Sequence, residues 1–181
     1  MLPAPNFNSY WFWAGEIPPL MCEAIQRRGI EQGLRTAEVG IGEEQEVDTK
    51  TRISEVTFLD ELPWLQDIML GYARRANASA NWNFALDTID GIQFTRYEPG
   101  GFYDWHCDAS DDEPWVRKLS VVLQLSNPET YKGGEFEFRG GLAPISQQGS
   151  ILVFPSQLEH RVWEVTSGTR YSLVAWIGGP R

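Results

Sequence analysis

Past Ile89, apolar residues of this 181-residue chain fall at every second position, in short runs closed by glycine or proline. Side chains on a strand alternate between its two faces, so a period of two builds pleated sheet and excludes helix. Residues 92–97, 119–125, 135–138, 150–154 and 170–177 read as strands. Between them stand Pro99-Gly100-Gly101, Asn127-Pro128, Gly133-Gly134, Gly140-Gly141, Gln148-Gly149 and Ser167-Gly168, the residue types that tight turns require. Short strands at this spacing predict an antiparallel sandwich or barrel, of which the double-stranded jelly roll is one form.

The first half is mixed. Aromatic residues 10–14 suggest an edge strand, and Pro18 and Pro19 stand where a helix over 20–32 would begin. Residues 40–48 are acidic and glycine-punctuated, an exposed loop, and residues 52–59 suggest another strand. From Pro63 onward, Trp64, Leu65, Ile68, Met69, Tyr72, Ala73 and Ala76 recur with helical period and predict a helix that covers one face of the sheet. The expected fold class is α+β, mainly β: a jelly-roll core over 89–181 with supporting helices within 1–88. A chain of this length that is 42% hydrophobic buries one good core, so a single domain over 1–181 is expected.

Fifteen basic residues against twenty-five acidic ones leave a net charge of -10, a repulsive field for nucleic acid. Cys22 and Cys107 make no disulfide framework, which fits a reducing cytosol. No stretch approaches the roughly 20 apolar residues that cross a bilayer. A soluble cytoplasmic protein with neither nucleic-acid nor membrane partner is expected, and its oligomeric state has no sequence signature.

The only two histidines are His106 and His160, and the first belongs to His106-Cys107-Asp108. On a strand, His106 and Asp108 would share one face and could offer a nitrogen and an oxygen to the same ion. With His160 from a later strand they make two imidazoles and one carboxylate on one side of a metal, the set that suits non-haem Fe(II) with positions left open. An isolated H-x-D also occurs where a histidine is merely exposed or satisfied in a core. Cys107 would face the opposite way, as a small core residue, and Trp105 would serve as a substrate wall or as packing. Arg96, next to Tyr97 on a strand, should face away from the site. Arg170 opens the most apolar strand, where a guanidinium needs a partner: a carboxylate-bearing ligand, or one of the chain's own acids. Ser172 shares its face and could donate to the same ligand.

Taken in order, Tyr97-Glu98-Pro99-Gly100-Gly101-Phe102-Tyr103-Asp104-Trp105-His106-Cys107-Asp108, residues 119–128, Gly133-Gly134-Glu135-Phe136, His160 and Arg170-Tyr171-Ser172 resemble the prolyl 4-hydroxylase-like branch of the 2-oxoglutarate and Fe(II)-dependent oxygenases. The resemblance covers about residues 89–178. It implies that His106, Asp108 and His160 hold Fe(2+), that Arg170 binds the far carboxylate of 2-oxoglutarate, and that Tyr97 lines the cosubstrate pocket. Animal prolyl hydroxylases often carry a tyrosine on the strand after the H-x-D, where this chain has Gln124, still able to donate a hydrogen bond to the cosubstrate. The implied reaction consumes 2-oxoglutarate and O2, releases succinate and CO2, and hydroxylates a peptide or protein substrate, with proline foremost. L-ascorbate is implied as reductant. Because imidazole binds metal in its neutral form, activity is expected to fall below about pH 6.5. Other readings are an oxygenase of a free amino acid or small metabolite, a zinc hydrolase, and a non-catalytic jelly-roll binding module.

Overall fold

The computed structural model describes residues 9–39, 46–109 and 115–180. In chain order its elements are β1 (Trp11–Trp13), α1 (Pro19–Gln32), β2 (Arg35–Thr36), β3 (Arg52–Ile53), β4 (Glu55–Phe58), α2 (Pro63–Ser79), β5 (Thr88–Tyr97), β6 (Phe102–His106), β7 (Trp115–Gln124), β8 (Tyr131–Gly133), β9 (Phe136–Phe138), β10 (Gly141–Leu142), β11 (Ile151–Pro155), β12 (His160–Val162), β13 (Val165–Gly168) and β14 (Arg170–Pro180). Both helices start with proline at the first turn, where its missing N–H leaves no intrahelical bond unmade.

Seven antiparallel strands form the larger sheet in the order β1-β11-β7-β14-β5-β4-β2, and β10-β9-β12-β6-β3 form a second sheet of five. A two-stranded ribbon pairs β13 with β8. The sheets pack face to face, because Tyr97, Val122, Leu152 and Phe154 of the larger sheet share one buried cluster with Phe136, Phe138 and Val162 of the smaller. Alternate residues of the same strands, among them Leu119, Val121, Leu123, Ile151, Val153 and Leu173, join Ile25, Leu65, Met69, Ala73 and Ala76 of the helices in the other core. Strands covered on both faces explain why residues 119–125 and 150–154 are nearly continuous in apolar residues. This is the mainly β, helix-supported jelly roll expected from the sequence. At Gly29, α1 lies against β5 so closely that a Cβ would stand 2.5 Å from the Phe94 ring.

Residues 52–59 form two strands where the sequence suggested one. Arg52 and Ile53 pair with β6, whereas Glu55–Phe58 pair with β5, so the chain passes between sheets at Ser54, a sandwich corner. Trp64, placed on the buried face of α2 by its apolar character, is 43% exposed, because it stands one position before the Leu65–Met69–Ala73–Ala76 stripe. Of the acidic loop 40–48, residues 40–45 lie outside the described residues, and Val39 and Glu46 beside them meet in a single antiparallel bridge. Among the described residues, no helix is long and apolar enough to cross a membrane.

Candidate active site

His106 ends β6 and His160 begins β12, and the pairing of these strands sets the two residues opposite each other. Their ring centroids are 4.2 Å apart. Asp108 lies beyond the end of β6, so strand alternation does not place it, contrary to the sequence argument. It is instead held by hydrogen bonds: its N–H donates to Ser156 O at 3.0 Å and its Oδ2 accepts from Ser120 Oγ at 2.7 Å. Ser120 Oγ also bonds Ser156 Oγ at 2.9 Å, tying β7 to the turn after β11.

The nitrogen and oxygen donors of His106, Asp108 and His160 all lie within 4.8 Å of one another. Each histidine Nε2 stands 3.7 Å from an Asp108 oxygen. On the far side of the rings, His106 Nδ1 bonds Asp104 O at 2.8 Å and His160 Nδ1 bonds Leu158 O at 2.9 Å. A carbonyl oxygen only accepts, so each Nδ1 carries the proton and each Nε2 turns a free lone pair toward Asp108. Metal-ligating histidines use this outer hydrogen bond to fix tautomer and ring orientation. Two imidazole nitrogens and one carboxylate oxygen, packed against protein on one side and facing a cavity on the other, suit a divalent iron with open positions.

Burial, and then the neighbouring His160, hold the His106 imidazolium well below the ordinary imidazole range. Burial alone would raise the Asp108 carboxyl; His160, His106 and the Ser120 hydroxyl outweigh it and hold the group below the usual carboxylate range. The limit near pH 6.5 expected of ordinary imidazoles therefore does not apply to His106. Its sign in folding follows from linkage. The unfolded chain takes up a proton on this residue near pH 6.5 while the folded chain does not, so stability declines as pH falls below that value. Urea unfolding of the metal-free protein should show a loss of up to about 2 kcal/mol between pH 7 and pH 5 that His106→Gln removes. An identical slope in the variant would refute the assignment.

A cavity of about 580 Å³ opens from these three residues between the two sheets. Tyr97, Arg170 and Ser172 line it. Arg170 is 2% exposed, its guanidinium carbon lies 5.6 Å from the Tyr97 ring centroid, and its Nη1 has no hydrogen-bond partner. None of the ion pairs among the described residues includes it, so the internal salt bridge that the sequence left open is absent there. An unpaired buried guanidinium facing a cavity fits a ligand carboxylate.

Gln124 is corrected. It sits beside Ser172 in register, yet its amide donates to Tyr131 Oη at 2.9 Å and Ser126 O at 3.2 Å, and it does not line the cavity. Cys107 is exposed and not a core residue, because the chain has left the sheet there and its thiol meets Gln157 O at 3.2 Å. Trp105 points outward beneath Arg139 and Arg161, at 3.9 and 4.6 Å. Arg96 turns away from the cavity, paired with Glu55. The acidic sequence Asp111-Asp112-Glu113-Pro114, which follows the H-x-D, lies outside the described residues.

Sequence reasoning missed Ser120, Arg52, Tyr103 and Trp176. Ser120 had a legible signal, a hydroxyl within an apolar run that must find a partner once buried. Trp176 had none; its side chain is among the groups that hold the Asp108 carboxyl down, and its ring lies 4.0 Å under the Arg117 guanidinium.

The chain is similar to known proteins in sequence and in fold. The family described as the 2OG-Fe(II) oxygenase superfamily matches residues 92–178. A PKHD-type hydroxylase of Synechococcus elongatus is 31% identical over 170 residues, covering 87% of this chain and 75% of the relative. A PKHD-type hydroxylase of Rippkaea orientalis is 38% identical over 95 residues, 49% of this chain, and that match spans only 43% of the relative's length. Among solved structures, a viral collagen prolyl hydroxylase from Paramecium bursaria Chlorella virus-1, in complex with 2OG, superposes with a TM-score of 0.76 at 22% identity, covering 97% of this chain and 99% of that one. A Pseudomonas putida prolyl-4-hydroxylase superposes with a TM-score of 0.70 at 21% identity, over 93% and 91% of the two chains. At such identities the structures speak for the fold, while the Synechococcus relative carries the likeness through most of both sequences. The chain belongs to the 2OG-Fe(II) oxygenase superfamily.

Proposed function

We propose that this protein is a dioxygenase dependent on Fe(2+), 2-oxoglutarate and O2 that hydroxylates a peptidyl residue, with proline the leading target. One observation carries the reading: an open two-histidine, one-carboxylate set shares a cavity with a buried guanidinium that no acid of the described chain neutralises. His106, Asp108 and His160 would hold the iron, which supplies oxygen activation when bound. Arg170 and the Ser172 hydroxyl would hold the far carboxylate of 2-oxoglutarate, with Tyr97 fixing the guanidinium from its ring face. The backbone bonds to both Nδ1 atoms keep the imidazoles in the ligating tautomer. With the two histidines, Ser120 holds the Asp108 carboxyl below its usual range and would keep the carboxylate turned toward a bound metal. Apolar Val122, Phe136 and Val162 on the lining limit the water that can enter. One oxygen atom of O2 would enter the substrate as hydroxyl and the other succinate, with release of CO2.

Proline as target is supported by the prolyl hydroxylases among the structural neighbours, one of which, from Trichoplax adhaerens, is in complex with a hypoxia inducible factor oxygen degradation domain peptide fragment. L-ascorbate as reductant, a cytoplasmic setting and a single domain over 1–181 belong to the same proposal. The test is succinate formation from 2-oxoglutarate by the iron-loaded protein, with a 16-mass-unit gain on proline-containing peptides. Substrate oxidation without 2-oxoglutarate consumption would overturn it.

A subtler change tests the Arg170 role. Gly134 has φ +69°, and a Cβ there would stand 2.8 Å from Arg170 Cδ. Gly134→Ala should destabilise the fold by about 1–3 kcal/mol and raise the KM for 2-oxoglutarate more than it lowers kcat. A fall confined to kcat would show that Arg170 does not hold the cosubstrate.

A further inference from the structure

One buried cation of the cavity has no role in the reading above. Arg52, in β3 on the smaller sheet, is 7% exposed and lines the same cavity as the histidines and Arg170. Its Nε donates to Ser54 Oγ at 2.7 Å. Its guanidinium carbon lies 4.5 Å from the centroid of Tyr103, and the Tyr103 ring stacks on His106 at 3.4 Å. No acid among the described residues pairs with it. Of the acids on the cavity wall, Asp108 faces the two histidines, Asp90 is held by Arg117 at 2.6 Å, and Glu38 enters no ion pair among the described residues.

A guanidinium kept from water needs both hydrogen-bond acceptors and opposite charge. Serine and the tyrosine face supply part of the first and none of the second. Peptide carbonyls could complete the hydrogen bonding, but only an anion completes the charge, and a carboxylate matches the planar fork in two parallel bonds. Arg170 and Arg52 stand on opposite sheets, so one cosubstrate carboxylate at Arg170 leaves Arg52 for a different molecule. The single tyrosine ring between Arg52 and His106 sets the reach: separations of 4.5 and 3.4 Å put the guanidinium carbon within about 8 Å of the His106 ring, about two residues of extended chain, so the anion belongs on or next to the group presented to the metal.

We propose that Arg52, backed by Tyr103, is a carboxylate subsite for the hydroxylated substrate, which carries a carboxylate on or next to the residue that reacts. This rests on the oxygenase reading. The carboxylate is a spectator: the substrate C–H becomes C–OH with one atom of O2, 2-oxoglutarate is oxidised to succinate and CO2, and the Arg52 ion pair is unchanged. Its source is either an α-carboxylate, of a free amino acid or a chain end, or the side chain of a neighbouring Asp or Glu.

The experiment uses the anaerobic protein loaded with Fe(II) and 2-oxoglutarate, and reads the perturbation of its visible absorption band by two probe panels. The first is the set of N-acetyl amino acids and their amides; the second is prolyl-glutamate and prolyl-glutamine dipeptides, N-acetylated and C-terminally amidated. The expected result is that the acid member of at least one panel binds about 30-fold or more tightly than its neutral isostere, and which panel does so names the source. Arg52→Gln should abolish that preference and Arg52→Lys should keep part of it. A role confined to packing Tyr103 would not move the acid-over-amide ratio. Equal binding of acids and isosteres in both panels, or a preference that survives Arg52→Gln, overturns the proposal. An absent band in the wild type would strike the oxygenase reading itself.

Discussion

Arg170→Met should make the metal-free protein more stable and the cosubstrate-bound protein less so. The guanidinium is buried with Nη1 unpaired, and its removal relieves a desolvated charge while a methionine of similar reach fills the space, a gain of about 1–3 kcal/mol. Losing the buried partner of the 2-oxoglutarate carboxylate weakens binding by about 2–5 kcal/mol, roughly 30-fold to several thousandfold. Wild type at 100 times its dissociation constant gains about 2.7 kcal/mol from bound ligand, and the variant at the same concentration gains at most about 0.9 kcal/mol. Melting curves with Mn(II), taken with and without 2-oxoglutarate, should therefore cross over. Destabilisation of the ligand-free variant would mean that Arg170 is compensated inside the fold and is a structural residue.

The second large effect falls on the metal. His160→Ala should lower affinity for Fe(II) or Mn(II) by more than about 100-fold, beyond the loss that follows removal of an outer hydrogen-bonding partner, and take turnover with it. His160 also packs within an aromatic cluster, 4.8 Å from the Phe154 ring and 5.1 Å from that of Phe136. Truncation there opens a void and costs stability as well. His160→Gln, which keeps the volume, separates the effects: affinity should fall as far with a smaller drop in melting temperature. Metal affinity within tenfold of wild type in the folded glutamine variant would remove His160 from the site.

The sheet was legible because its apolar residues alternate, and α2 because Leu65, Met69, Ala73 and Ala76 keep helical spacing. The short strands β8, β10, β12 and β13 were not, since two to four residues carry too little periodicity to read. His106, Asp108, His160 and Arg170 were legible as scarce polar groups set in strand-forming sequence, and the fold brings them to one cavity. The reason for the position of Asp108 was hidden, because it depends on Ser120 and Ser156, which are distant in sequence and meet it only through the pairing of β7 with β11. Gln124 misled because it occupies the cavity-side face of β7, while Tyr131, which captures its amide, comes from a turn that no pattern ties to it. Arg52 looked like an ordinary strand residue until the sheet switch at Ser54 turned it into the cavity.

The central claim is that His106, Asp108, His160 and Arg170 form one cofactor site. It is tested most directly by adding Fe(II) and 2-oxoglutarate to the oxygen-free protein and recording the weak visible charge-transfer band of the chelate in wild type, His160→Ala and Arg170→Ala. The account predicts a band in wild type, none in His160→Ala, and a band in Arg170→Ala only at far higher 2-oxoglutarate. No band in folded, iron-loaded wild type, or the same 2-oxoglutarate requirement in wild type and Arg170→Ala, would contradict it.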